Sequence, residues 1–439
     1  MIIKNKGFIG VLCIVLIVML TACGPQRDIE PGPASEGASA ETPGTSPSDD
    51  TAAPKPAELT IWADDNAEKL AVLQAITDKY TEQSGIAVKI TPIAMNDQPQ
   101  TLSLDGPSGK GPDLFYQPGI GSLSVQGLVQ PMKASEAHLA QFTPETLEAL
   151  SYDGNLYGLP FVVETYALLY NKELMPEAPK TIADLERIAQ EQTDAAKDEY
   201  GFLYDATNFY YSWAFMGGSG GYIFGEKDGG FDITDIGLNQ EGTVKGVSLI
   251  QSWFQKNYLP KGVNGDIVGG LFNEGKVAAV INGPWAITDH KEQLGDHLAV
   301  SALPLMEDGT HPQSFIGVKG WMLSAYSQHP EWATDLAEFL TNASSSMTWY
   351  EQAGEIPAHL DVLNDPVLVD NPLVAGFSEQ IQYGIPFPNV AELTHVWDPM
   401  ANALKFAAEG EDAQTVLDEA VVQIQDKIKM AGAESMHDD

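Results

Sequence analysis

Beyond residue 23 this chain of 439 residues contains no cysteine; Cys13 and Cys23 are its only two. The body therefore has no disulfide, no thiolate metal site and no cysteine nucleophile. Positive charge is also scarce. Lys and Arg number 23 against 61 acidic residues, a formal net charge of −38. Such a field repels phosphate backbones and anionic lipid, which argues against nucleic acid as a partner. No local basic cluster offsets it, so an anionic ligand is disfavoured and a neutral one is not. The eight histidines are scattered. They form no H-x-x-x-H pair and no H-E-x-x-H motif, and there is no EF-hand loop, so nothing points to a metal. Apolar runs of about 18 residues, the length of a membrane span, are missing throughout.

The N-terminus carries a shorter apolar run. Lys4 and Lys6 precede it, and it extends from Gly7 to Leu20. That is the pattern of an export signal. It ends in Leu20-Thr21-Ala22-Cys23, which resembles the bacterial lipobox. The expectation is a lipoprotein signal peptide over residues 1–23, with the Cys23 sulfur as the lipidation site. Residues 24–57 are mostly Pro, Gly, Ala, Ser, Thr, Asp and Glu, and Ile29 is their only large apolar side chain. They cannot bury enough surface to offset chain entropy, so they read as a disordered tether.

The body begins at Leu59-Thr60-Ile61-Trp62, a short strand pattern. Leu70, Leu73, Ile76 and Tyr80 then recur at helical spacing, with Ser84-Gly85 as a stop. Ile86 to Ile90 reads as a second strand. Strand, helix and strand in about 35 residues make a βαβ unit with a parallel sheet. Leu114-Phe115-Tyr116, Ala167 to Tyr170 and Val277 to Ile281 read as further strands. Thr181 should cap a helix with Asp184 in its first turn. The C-terminus carries an amphipathic helix with Leu417, Val421, Ile424 and Ile428 on one stripe. Hydrophobic residues at 44% and charged residues at 19% fit a globular body. Alternating elements over some 375 residues predict two α/β lobes.

Two motifs look chemical and are not. Gly217-Gly218-Ser219-Gly220-Gly221 matches the G-x-S-x-G nucleophile elbow, but an aromatic helix leads into it where a strand is required. Gly270 to Val277 nearly matches a P-loop, but it lacks the magnesium-binding Ser or Thr and runs from helix to strand. A glycosidase carboxylate pair is not excluded by counting, because its separation is a three-dimensional property.

Aromatic residues at loop edges stand out instead: Tyr210 and Tyr211, Trp285 after a strand, Phe387 between prolines, and Trp397 beside Asp398. A pyranose ring presents C–H bonds on its faces and hydroxyls around its rim. Aromatic faces accept the first, and Asp, Glu, Asn or Gln bond the second. Taken singly, each of these aromatics is as well explained by core packing.

Several stretches resemble the solute-binding proteins of ABC importers, in the maltose/maltodextrin-binding branch. They are Leu59-Thr60-Ile61-Trp62, Gly111-Pro112-Asp113, Glu164 ahead of Ala167-Leu168-Leu169-Tyr170-Asn171-Lys172-Glu173-Leu174, Pro179-Lys180-Thr181, Gly220-Gly221-Tyr222, Phe272-Asn273-Glu274-Gly275-Lys276, Ile281-Asn282-Gly283-Pro284-Trp285 and Pro388-Asn389. The likeness runs from Leu59 to about Ala431. It implies a two-lobed periplasmic-binding-protein-like α/β fold of type II, each lobe a parallel-rich sheet flanked by helices, with a ligand cleft between. Crossings are expected near Val163, Gly317 and Gly354. They divide the body into an N-terminal lobe of residues 58–163 and 317–353 and a C-terminal lobe of residues 164–316 and 354–433.

The same likeness implies an exported, lipid-anchored monomer on the outer face of the cytoplasmic membrane. It would close on an oligosaccharide and deliver it to ABC permease subunits, with no cofactor and no catalysis. Trp285 and Trp397 would stack on sugar rings, with Tyr210 and Phe387 beside them. Glu164, Asp64 and Asp65 would bond hydroxyls, while Trp62 belongs to the core. Some positions depart from the branch. Gln117-Pro118-Gly119-Ile120-Gly121 replaces a His-Asp-Arg run, Asn208 stands where Glu is common, and Ala401 where Arg can occur. The stacking side is kept and the polar side is thinned. Longer or cyclic α-glucans, and unrelated oligosaccharides, therefore stay open as ligands.

Overall fold

The computed structural model describes residues 53–227 and 230–435. The expected signal peptide, Cys23 and the tether up to residue 52 lie outside the described residues.

The first strand, Glu58–Ala63, buries Leu59, Ile61 and Trp62. Each such side chain removed from water contributes about 2 kcal/mol before entropy is subtracted. The helix Ala67–Ser84 follows. Asn66 caps it by accepting from the N–H groups of Glu68 and Lys69, at 3.1 and 3.0 Å. Its inward face carries Leu73, Ile76 and Tyr80. Gly85, at φ +71°, reverses the chain into the strand Ala87–Pro92, which pairs parallel to the first. The expected βαβ unit is therefore present.

Leu114–Pro118 joins the other side of the first strand, also parallel. Phe315–Leu323 lies antiparallel beside it. Gly158–Glu164 is antiparallel to Phe315–Leu323, and the short strand Ile385–Pro386 runs parallel to the start of the same strand. These six strands form the first sheet.

The second sheet has four strands, in the order Leu298–Ser301, Ala167–Asn171, Val277–Asn282 and Tyr200–Leu203. Its first two pairings are antiparallel and its last is parallel. Both sheets are thus mixed. The strands that follow a passage between sheets come back in the opposite sense, while the βαβ crossovers stay parallel. Thr181 caps the helix Ile182–Gln192 in a reciprocal capping box with Asp184. The helix Phe209–Gly218 runs straight into Ser219, so the Gly-rich stretch is a helix end and not an elbow. The C-terminal helix Ala413–Ser435 buries Leu417, Val421 and Ile424 against the second lobe.

Two residues, Thr165 and Tyr166, separate Glu164 at the end of a first-sheet strand from Ala167 at the start of a second-sheet strand. The chain returns to the first sheet at Phe315. It leaves again after the helix Ala343–Ala353, which packs on Ala67–Ser84 and ends at Gly354 in the left-handed region, φ +75°.

One expectation needs correction. Composition predicts a tether through Ala57, but residues 53–57 are tied to the first lobe. The Trp332 indole donates to the carbonyls of Ala53 and Pro54, at 3.2 and 3.1 Å. The Lys55 ammonium donates to the Ser84 carbonyl, and the Ala57 carbonyl accepts from the Ala87 N–H at 3.0 Å. Composition missed this because backbone carbonyls, not side chains, make most of the contacts.

Candidate functional site

The strand ends decide where the site lies. Glu58–Ala63 ends at Asp64, Gly158–Glu164 ends at Glu164, and Val277–Asn282 ends in Gly283-Pro284-Trp285. In open α/β sheets ligands bind beyond the carboxyl ends of strands, where the fold leaves a crevice. A narrow recess there is lined from the first lobe by Asn66, Glu68, Lys69, Gln352 and Ala353, and from the second by Trp285, Thr288 and Asp289. A larger, open hollow of about 600 Å³ lies at the opposite, N-terminal ends of the first-lobe strands, around Glu58, Gly106, Asp113 and Tyr326. The buried one of its two carboxylates, Asp113, is already used. Asp113 accepts from the Thr60 N–H at 2.9 Å and the Ser327 hydroxyl at 2.6 Å. The first place has the better claim.

The second lobe brings aromatic rings to this edge. Tyr210, in the first turn of the Phe209–Gly218 helix, has its ring centroid 6.2 Å from Trp285 and 6.0 Å from Phe387. Phe387 is nearly parallel to the buried Phe315 at 4.6 Å and edge-on to Trp397 at 5.9 Å. Tyr210, Trp285, Phe387 and Trp397 are all half-buried. The result is a continuous apolar wall with partly open faces.

Charged groups stand beside the wall. Glu164 is 9% exposed, and its Oε2 lies 2.5 Å from Lys319 Nζ. Lys319 Nζ is also 3.9 Å from Glu355 Oε1 and 5.3 Å from the centre of the Trp285 ring. Glu355 in turn holds Lys69 at 3.0 Å and accepts from the Trp349 indole at 2.8 Å. Burial works against the charge on Lys319, but Glu164 and Glu355 outweigh it and keep its pKa above the ordinary lysine value. Burial likewise opposes the charge on Glu355, yet Lys319 and Lys69 hold its carboxyl below the usual range. The Tyr210 hydroxyl is buried and meets no hydrogen-bond partner among the described residues. Burial, and then the charge on Glu164, push it well above the usual tyrosine range. Apolar faces next to buried donors and acceptors suit a ligand with an apolar ring face and a hydroxyl rim.

The chain is also similar to known proteins. Residues 75–376 match the family described as bacterial extracellular solute-binding protein. The galactooligosaccharide-binding protein of Bacillus subtilis (strain 168) is 34% identical over 435 residues, covering 97% of this chain and 98% of that protein. The maltooligosaccharide ABC transporter solute-binding lipoprotein of Streptococcus pneumoniae (strain ATCC BAA-255 / R6) is 30% identical, covering 97% of each chain. A crystal structure of a cyclo/maltodextrin-binding protein complexed with maltotetraose superposes with a TM-score of 0.75 at 40% identity, over 85% of this chain and 98% of that one.

The chain belongs to the bacterial extracellular solute-binding protein family. Its two-lobed α/β fold is the one expected from the sequence.

Five of the seven ligand residues expected from sequence meet at one edge of this solute-binding protein: Glu164, Tyr210, Trp285, Phe387 and Trp397. Asp64 stands near them, since its charge acts on Lys319 and on the buried Tyr116. One of its oxygens is committed to the Met95 N–H at 3.0 Å. Asp65 is exposed and is not drawn into the cluster. Asp398, the expected rim partner of Trp397, is exposed and lies 3.6 Å from Lys427. Trp62 is a core residue, 3% exposed, as expected.

Sequence reading missed Lys319, Glu355 and Lys69. A signal for the first existed. Lys319 is the single charge in Phe-Ile-Gly-Val-Lys-Gly-Trp-Met-Leu, a strand otherwise fit for full burial. A lone cation in such a run needs a partner inside.

Proposed function

We propose that this solute-binding protein captures neutral oligosaccharides of the maltodextrin type in the crevice between its lobes and passes them unchanged to an ABC permease. The observation that carries this is the meeting of the Trp285–Tyr210–Phe387–Trp397 wall with the Glu164–Lys319 pair where the strand ends of both lobes converge. Sugar contacts made by both lobes favour the closed arrangement, which the permease recognises. On this reading residues 58–163 and 317–353 form one lobe and residues 164–316 and 354–433 the other. The likeness to the maltotetraose complex and to the streptococcal maltooligosaccharide lipoprotein supports the ligand class.

A hydrolytic role has less support. A glycosidase needs one carboxyl held protonated near neutral pH. Glu355 is shifted the other way by Lys319 and Lys69. The reading also includes diacylation of Cys23 and a monomer above the membrane, in line with the lipoprotein named among the relatives. A second ligand reading, galacto-oligosaccharides, is favoured by the Bacillus subtilis relative, which is 34% identical over 97% of this chain.

Calorimetry with maltotriose to maltoheptaose, α- and β-cyclodextrin and galactotetraose tests the ligand class. Maltodextrins should bind tightest and be recovered intact after prolonged incubation. Tighter binding of galactotetraose moves the protein to the second reading, and shortened chains would make it an enzyme. Mass spectrometry of the mature N-terminus tests the anchor, with a diacylglyceryl Cys23 expected and an unmodified terminus elsewhere against it.

A further inference from the structure

Lys319 has no role in a minimal sugar site built of rings and carboxylates, yet it is 8% exposed at the centre of that site. Its strand belongs to the first lobe, while the ring beneath its ammonium, Trp285, belongs to the second. A buried charge is tolerated only when paired, so the question is which partner depends on it. Glu355 feels Lys319 at 3.9 Å but has a second cation, Lys69 at 3.0 Å, and the Trp349 indole at 2.8 Å to hold it. Glu164 depends on it. Among the described residues Lys319 is its only ion-pair partner, at 2.5 Å. Remove the ammonium and Glu164 becomes a buried carboxylate with no cation against it. The Trp285 face is the second clue. A sugar ring stacking on Trp285 needs a face of the indole, and the Lys319 ammonium lies over one at 5.3 Å from the ring centre, within cation–π range.

We propose that Lys319 is the positioning residue of the sugar site: its ammonium fixes the Glu164 carboxylate for hydroxyl capture and covers the Trp285 ring until a sugar takes its place. This deepens, and rests on, the oligosaccharide reading above. Oε2 of Glu164 is occupied by the lysine, which leaves Oε1 to accept a hydroxyl. When the ring arrives, the ammonium gives up the indole face and turns its remaining N–H groups to the sugar rim. A neutral ligand keeps the Glu164–Lys319 pair balanced throughout.

The test is a cycle in the full-length protein, with maltotetraose as the probe. Lys319→Met should weaken binding by about 10-fold or more, and Lys319→Arg should restore most of the loss. Adding Lys319→Met to Glu164→Gln should cost less than about 3-fold further, because the lysine works through that carboxylate. The double variant has no uncompensated Glu164 charge, so the comparison with Glu164→Gln is readable even where Lys319→Met alone does not fold. A double variant about 10-fold weaker than Glu164→Gln, or a Lys319→Met protein with wild-type affinity, overturns the proposal. Ligand-free tryptophan emission supplies the second arm. It should shift on removing the Lys319 charge, by way of the double variant against Glu164→Gln, and should not shift when Trp285 is Phe. An equal shift in both backgrounds, or none in either, removes the cover over Trp285. If wild-type protein binds no sugar of the panel, the oligosaccharide reading fails, and the emission arm still decides the Lys319–Trp285 contact.

Discussion

Phe387 stands edge-on to Trp397, with ring centroids 5.9 Å apart and planes at 66°. Phe209 and Phe315 also lie against Trp397, at 5.6 and 6.2 Å. Trp397 is therefore built into the wall. Trp285 differs, having among the described residues a single ring neighbour, Tyr210. The two tryptophans should consequently fail in different ways. Trp285→Ala should weaken maltotetraose binding about 10-fold or more while lowering stability little. Trp397→Ala should weaken binding and also cost about 2–4 kcal/mol of stability, because its neighbours lose packing. Calorimetric affinity and denaturant midpoints on both variants separate the cases. Wild-type affinity in a well-folded Trp285→Ala protein would remove Trp285 from the site.

Gly317 offers a test that replaces none of the side chains proposed to face the ligand. A methyl group there would lie 2.8 Å from Cγ of Glu164 and 3.2 Å from Cε2 of Phe387. Gly317 pairs with Glu164 across the antiparallel ladder, in ordinary strand geometry, so the constraint is space alone. Gly317→Ala should displace both side chains. Overpacking of this kind costs about 1–3 kcal/mol. Maltotetraose affinity should fall about 10-fold, since one substitution disturbs the hydroxyl acceptor and the ring wall together. Unchanged affinity would mean that Glu164 and Phe387 do not both face the sugar.

Much of this arrangement was legible in the sequence because it depends on local grammar. The βαβ start, the Thr181 capping box, the helix-end loop at Ser219 and the turn that presents Trp285 are each set within about ten to thirty residues. Glu164 and the rings were reachable through the family likeness. The mixed character of the sheets was not, because strand direction depends on which sheet the chain joins after a passage. Lys319, Glu355 and Lys69 were not found either. Their ion pairs join a strand, a loop and a helix far apart in the chain. Residues 53–57 were misread for a related reason. Their side chains signal disorder, while their carbonyls are held by Trp332 and Ala87.

That last contact sets a truncation boundary. Removing residues 1–52 should leave the melting temperature and sugar affinity unchanged. Removing residues 1–57 deletes the two carbonyls that accept from Trp332, the Lys55 contact with Ser84 and the Ala57 bond to the edge of the first sheet. Intramolecular hydrogen bonds are each worth about 1 kcal/mol net. The longer deletion should therefore melt about 2–4 °C lower, with affinity intact. Equal melting of the two deletions would show that residues 53–57 add nothing.

His290 should make the protein sensitive to acid. It is 2% exposed and lies one helical turn beyond Trp285. Its Nδ1 is 2.6 Å from Asn273 Oδ1, its ring is edge-on to Phe272 at 4.9 Å, and its Nε2 has no partner among the described residues. Protonation would bury a positive N–H with nothing to accept it. Burial accordingly pushes the His290 pKa down from 6.5 to about 4. Between those values the unfolded chain binds a proton that the folded protein refuses. Stability should therefore be full above pH 6.5, fall as the pH drops through the window, and level off for this residue near pH 4. The size of the effect is at most about 3 kcal/mol. Glu355 adds to the loss at lower pH, since its carboxyl is held below the usual range by Lys319 and Lys69 and gives up that stabilisation when protonated. Urea midpoints measured from pH 7.5 to 4 should trace the His290 slope in wild type. His290→Gln keeps a donor for Asn273 and cannot be protonated, so it should flatten the slope between pH 6.5 and 4. A variant as acid-sensitive as wild type in that window would assign the loss to other groups.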